Sequence, residues 1–158
     1  MYLLTDFQSY QDYFAAIANS HVEIEGFIFG DEDVAINNGR AWKGKKLWLE
    51  PWQPVKIVDQ LSDNYLHEKT GTLWLGGSPP STKFQDRLDY YGACEAIVKD
   101  IIARMLKDRN EELLITRITT YRYGMGEFTF SATPMVGCRF DFTFHDPSGF
   151  EYNESKWQ

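Results

Sequence analysis

The chain has 158 residues, 43% of them hydrophobic and 25% charged, a length at which folding removes roughly 70% of the unfolded surface and a core forms without disulfides or metals. Sixteen basic residues against twenty-three acidic ones leave a formal charge of −7, which repels phosphate backbones and anionic membranes unless the positive groups are gathered on one face. The basic run Lys43, Lys45 and Lys46 is too short to reverse that, so neither nucleic acid nor a membrane is expected as a partner.

Thr5 followed by Gln8 forms a capping-box pattern, and Phe7, Tyr10, Phe14 and Ile17 recur at helical spacing. A short N-terminal helix from about Asp6 to Ala18 is predicted. Across Val22 to Phe29, Glu23 and Glu25 alternate with Val22, Ile24 and Ile28 as in a half-buried strand. Gly30 to Gly44 keeps neither period and reads as a long exposed loop, with a short strand near Val34 to Ile36.

Lys45 to Glu50 and Val55 to Asp59 read as strands separated by Pro51-Trp52-Gln53-Pro54, whose prolines interrupt a ladder. Thr70 to Leu75 is a further strand with Leu73 and Leu75 on one face and Thr72 and Trp74 on the other. Trp48 likewise points away from its flanking leucines, so both sheet faces should carry a large aromatic. Gly76 to Pro80 breaks regular structure, and Thr82 with Gln85 offers a second capping box.

From Phe84 the stripe Leu88, Tyr91, Val98, Ile102, Met105 lies beside a second stripe, Tyr90, Cys94, Ile97, Ile101. Together they make the broad apolar face of a helix lying across a sheet. Lys107 and Arg109 suit its negative end and Asn110 terminates it. Leu113 to Tyr123 and Phe128 to Ser131 are strand-like around Gly124-Met125-Gly126. Met135 to His145 alternates most clearly, with Cys138, Phe140, Phe142 and Phe144 against Arg139, Asp141, Thr143 and His145. Asp146 to Gln158 reads as a loosely ordered tail. The fold class is α+β in one domain spanning 1–158: a mainly antiparallel sheet, one long helix packed across it and a short N-terminal helix.

The polar face of the last strand holds the sharpest chemical candidates, His145, Asp141 and Arg139, because imidazole titrates near neutrality and a carboxylate can fix its tautomer. Cross-strand charge pairing explains the same alternation. Gly76 to Lys83 places glycines before a helix, yet Pro79 and Pro80 lack the N–H donors of a phosphate cradle. His21, His67 and His145 are scattered and neither Cys94 nor Cys138 sits in a C-x-x-C unit. No metal and no cofactor is therefore expected. Both cysteines fall at positions typical of reduced, buried thiols. Met1 to Asp6 has no basic n-region, and no apolar run reaches the roughly 18 residues of a spanning helix; the expected location is the cytoplasm. Aromatic content is high, at 16%, and Trp42, Trp52 and Trp157 are candidates for a protein interface.

The element order, from Thr5 to the aromatic closing strand Val136-Gly137-Cys138-Arg139-Phe140-Asp141-Phe142 and on to His145, resembles that of the tail-terminator and tail-completion proteins of tailed phages and related contractile particles. In that family an α+β subunit forms a ring at the end of a tail tube, and loops and sheet edges make the contacts. The resemblance implies a non-enzymatic assembly subunit with protein partners, self-association into a ring, incorporation into a phage-like particle and no catalytic residue. Two other readings stand beside it. One is a small enzyme or ligand-binding module with a pocket between sheet and long helix; the other is an acidic adaptor that binds a single protein.

Overall fold

The computed structural model describes residues 1–39, 44–53, 55–59, 65–130 and 133–147. Among these residues three helices and six strands follow in the order α1 (Phe7–Ser20), β1 (Phe27–Phe29), α2 (Glu32–Gly39), β2 (Lys46–Leu49), β3 (Val55–Asp59), β4 (Tyr65–Gly77), α3 (Phe84–Asn110), β5 (Arg117–Phe130) and β6 (Thr133–Pro147). The strands form one sheet in the order β1-β2-β4-β6-β5, with β3 also paired to β4. Every pairing is antiparallel except β1 with β2, so the sheet is mostly but not purely antiparallel. The parallel pair follows from an element that the sequence reading missed: α2 sits between β1 and β2 and supplies the crossover that a parallel connection needs.

One face of the sheet carries the main core. Leu47 and Leu49 of β2, Leu73 and Leu75 of β4, and Cys138, Phe140, Phe142 and Phe144 of β6 are all buried there. Against them lie Tyr10, Tyr13, Phe14 and Ile17 of α1 and Cys94, Ile97, Val98, Ile101 and Met105 of α3. The long helix therefore packs across the sheet as its stripe requires. Ile102 is half-buried and Leu88 is exposed, Leu88 lying ahead of the buried run that begins at Cys94.

Several boundaries differ from expectation. The N-cap of α1 is Asp6, not Thr5: its carboxylate accepts from the Ser9 amide at 2.7 Å, and the Ser9 hydroxyl closes the box on the Asp6 amide. The predicted strand Val22 to Phe29 shrinks to Phe27–Phe29, and Val22 is 97% exposed. Val34 to Ile36 lies inside α2, where the Asp31 carboxylate accepts from the Val34 amide. Lys83 is the N-cap of α3 and makes no side-chain cap, so the Thr82 and Gln85 box does not form. Gly76 and Gly77 continue β4 rather than break it, opposite Gly137 and Val136. Gly124-Met125-Gly126 lies within an unbroken β5, whose irregularity falls instead between Ile118 and Thr120.

The second face carries a smaller cluster. Ile28, Ala35, Trp48 and Met135 are buried together with Ile36 and Trp74 packed on them. Trp48 and Trp74 stand opposite each other in register and stack at 6.0 Å, 13° from parallel. Each points away from the leucines beside it, as the alternation required, but the two share this one face and do not supply one aromatic to each face as expected, because they are direct cross-strand partners. The Trp74 ring lies over Gly126, where a Cβ would collide with it. Helix α2 covers this end of the face and also touches β5; among the described residues, Arg122 and Arg139 farther along the face are exposed.

Candidate functional site

The open part of the second face is built from β4, β6 and β5. Antiparallel register brings Trp74 beside Arg139, Thr72 beside Asp141, and Arg122 opposite Asp141. Arg139 Nε donates to both carboxylate oxygens of Asp141, at 3.0 and 3.2 Å, and the Thr72 hydroxyl donates to the same carboxylate at 2.8 Å. The Arg139 guanidinium stands 5.4 Å from the centre of the Trp74 ring, a cation–π distance. The Trp74 indole N–H in turn donates to Glu50 at 2.7 Å. These contacts fix Arg139 and Asp141 as an oriented ion pair on an aromatic floor.

His145 stands apart from them. Four residues along a strand separate it from Asp141, about 13 Å, and its Nε2 meets the Thr119 hydroxyl at 2.9 Å. Its Nδ1 is buried without a hydrogen-bond partner among the described residues, and in register it lies between Glu68 of β4 and Arg117 of β5. Of the three residues expected to act together, the structure joins Arg139 and Asp141 and places His145 at a separate point of the sheet.

The lateral boundary of the face is β5, a 14-residue strand at the end of the sheet. Its middle combines exposed Arg122 with Tyr123 and Met125, which are 41% and 45% exposed. Between them a Cβ on Gly124 would meet nothing within 4 Å. Arg122, Tyr123, Gly124 and Met125 together with Arg139 and Asp141 line a cleft of about 400 Å³. Because side chains alternate, Arg122 shares the polar face with Arg139, while Tyr123 and Met125 emerge on the other side of the strand. The sequence reading names Arg139 and Asp141 of this cleft and misses its β5 side, because the two glycines flanking Met125 read as an interruption.

The remaining candidates resolve differently. Trp52 is half-buried, stacked on Phe7 at 4.1 Å with the Lys69 ammonium 4.3 Å from its ring centre. The same ammonium donates to the Thr5 carbonyl at 3.0 Å. Trp52 thus pins the start of α1 to the core more than it presents a free surface. Trp42 and Trp157 lie outside the described residues. Burial pushes the Cys94 thiol up to about 12 and the Cys138 thiol up to about 11, the reverse of what a nucleophilic cysteine needs. At the start of α3 the Ser81 hydroxyl donates to the Asp86 carboxylate, so an acidic group already occupies the place an anion would take. Among the described residues no group of three or more His, Cys, Asp and Glu could hold a metal ion, and no helix is long and apolar enough to cross a membrane.

No protein-family model matches the chain, and no curated protein matches it in sequence.

Proposed function

We propose that the chain is a non-enzymatic assembly subunit that binds other proteins through the β5 edge, in the manner of the tail-terminator and tail-completion proteins its element order resembles. The observation that carries this reading is the edge itself. A strand of 14 residues pairs with β6 and, among the described residues, with no other strand, and its centre carries Tyr123 and Met125, both exposed. Exposed sheet edges are costly to leave open because they template pairing with another chain. Proteins that keep one commonly use it to bind.

The cleft supports protein contact in a second way. Arg122 and Arg139 place two guanidinium groups around the single carboxylate of Asp141, which leaves one net positive charge on the patch and favours an acidic partner surface. Arg and Tyr are also the residues that most often anchor interfaces.

Native mass spectrometry of the chain mixed with the products of neighbouring genes tests the reading. Capture of tube or sheath subunits is expected, weakened by the pair Tyr123→Lys and Met125→Lys. A neighbourhood of metabolic genes, a monomer with every partner tried and turnover of a small molecule would together overturn it.

A further inference from the structure

We propose that the cleft on the polar face of β5 and β6 is a binding site for a single carboxylate group, held between the guanidinium groups of Arg122 and Arg139. Such a site goes beyond the assembly reading, with which it shares these two residues but not the dependence on a sheet edge.

The hydrogen-bonding capacity of the cleft is unevenly used. Asp141 is the only carboxylate among the described residues that line it, and both of its oxygens are taken: Arg139 Nε donates to each, and the Thr72 hydroxyl donates to one of them. Arg122 is the direct cross-strand partner of Asp141, a position from which opposite charges ordinarily pair. Among the described residues it nevertheless makes no hydrogen bond and no ion pair, and it is exposed at the cleft wall. Arg139 is engaged with Asp141 through Nε alone, so its two terminal nitrogens, which carry most of its donors, have no acceptor among the described residues.

The Arg139 group is already oriented, by Asp141 on one side and by the Trp74 ring 5.4 Å from it on the other, so little ordering remains to oppose binding. Beside it, Gly124 is its cross-strand partner and shares the polar face with Arg122. A Cβ on Gly124 would meet nothing within 4 Å, so the missing side chain leaves the space between the two guanidinium groups in a cleft of about 400 Å³.

Charge selects the ligand. Two guanidinium groups against one carboxylate leave a single net positive charge among the lining residues. The Glu50 carboxylate accepts from the Trp74 indole and does not line the cleft. One incoming carboxylate balances the site, and its two coplanar oxygens match the guanidinium fork. A phosphate dianion would bring surplus negative charge to a chain of formal charge −7.

The test is an NMR titration of the ¹⁵N-labelled full chain with sodium propionate, against sodium chloride at matched ionic strength and inorganic phosphate at about pH 8, where phosphate is mostly dianionic. Propionate should shift the Nε–H signals of Arg122 and Arg139 and the Gly124 amide saturably, chloride should not, and phosphate should bind more weakly than propionate. Arg122→Gln should weaken propionate binding roughly tenfold, the loss that follows removal of hydrogen bonds to a charged group. Gly124→Val, which keeps both guanidinium groups and fills the space, should weaken it comparably, with unchanged amide signals elsewhere reporting an intact fold. Shifts that chloride reproduces, shifts centred on other residues, phosphate binding as tightly as propionate, or full binding by both variants would overturn the inference. N-acetylglutamate methylamide, which carries the same carboxylate on a peptide unit, separates the sources: tighter binding than propionate assigns the carboxylate to an acidic side chain of a protein, and weaker binding assigns it to a free small acid. If propionate does not bind while tube or sheath subunits are still captured, the carboxylate site fails and the assembly reading stands. If propionate binds and no such subunit is captured, the assembly reading fails and the site stands.

Discussion

The Tyr13 hydroxyl of α1 donates to the Asp108 carboxylate of α3 across 3.1 Å, inside the core. Asp108 is 2% exposed and its other oxygen accepts from Arg104 Nε at 2.7 Å. The two helices share the same sheet face without a connecting turn between them, and this contact fixes one against the other. Hydrogen bonds to a charged group contribute roughly 1.5–3 kcal/mol, and a buried carboxylate stripped of a donor loses comparably. Tyr13→Phe should therefore lower the unfolding free energy by about 2 kcal/mol in urea titration. A change below half that would mean that water replaces the hydroxyl without loss.

Ile101 is 1% exposed in the centre of the α3 stripe, whereas its neighbour Ile102 is half-buried. Truncation leaves a cavity only where surrounding side chains enclose the site. Ile101→Ala should cost about 2–5 kcal/mol and Ile102→Ala clearly less. Equal losses at the two positions would show that the helix is rotated from the orientation described.

Alkaline pH should destabilise the chain progressively. The folded state holds the Cys138 and Cys94 thiols at about 11 and about 12 against an ordinary 9.0, so it retains protons that the unfolded state releases. This contribution is complete below pH 9.0 and is lost as pH rises through the folded values. Tyr10 and Tyr13, raised by burial, act in the same direction above their ordinary 10.0. Urea midpoints should fall steadily from about pH 9 upward, and Cys138→Ala should flatten the first part of that decline. A midpoint constant to pH 11 would contradict the burial of these groups.

Gly126→Ala should displace the Trp74 ring, because the added methyl would occupy the same space. Overpacking of this kind costs typically 1–3 kcal/mol. The stack with Trp48 should also loosen, which the near-ultraviolet circular dichroism of coupled indoles reports. Gly124→Ala, in open space, should leave that signal intact, and loss of it in both variants would point to the strand backbone instead.

The parts legible in the sequence are those where one period runs long enough to exclude alternatives. In β6 the phenylalanines at 140, 142 and 144 alternate with polar groups over the whole strand, and α3 carries two adjacent stripes. That Trp48 and Trp74 turn away from their leucine neighbours followed from alternation, but that both share one face depends on the β2–β4 register, which no single segment reveals. Helix α2 escaped because Val34 and Ile36 favour strands locally, while its burial depends on Ala35 meeting Trp48 and Met135 from distant segments. Glycine misled twice for one reason. Gly77 and Gly126 look like breakers, yet they occupy strand positions where a side chain is unwelcome: a Cβ on Gly77 would meet the Gly44 carbonyl and the Tyr90 hydroxyl, and Gly126 lies under a tryptophan. Arg139 and Asp141 of the cleft were legible from the alternation of β6, whereas its β5 side depends on which strand pairs beside β6, a property of pairing order rather than of any segment.

The pairing order also sets when the molecule can form. β6 lies between β4 and β5, although it is made after both. On the ribosome, β4 and the apolar stripe of α3 must therefore wait, with Leu73, Leu75 and Ile97 lacking the phenylalanines they later cover. The nucleus that closes the sheet joins segments more than sixty residues apart, such as Leu73 and Phe140, and such distant closures make folding slow. A nascent chain halted before Thr133 has no central strand, and it is at that stage of synthesis, rather than in the finished fold, that a chaperone would find most to hold.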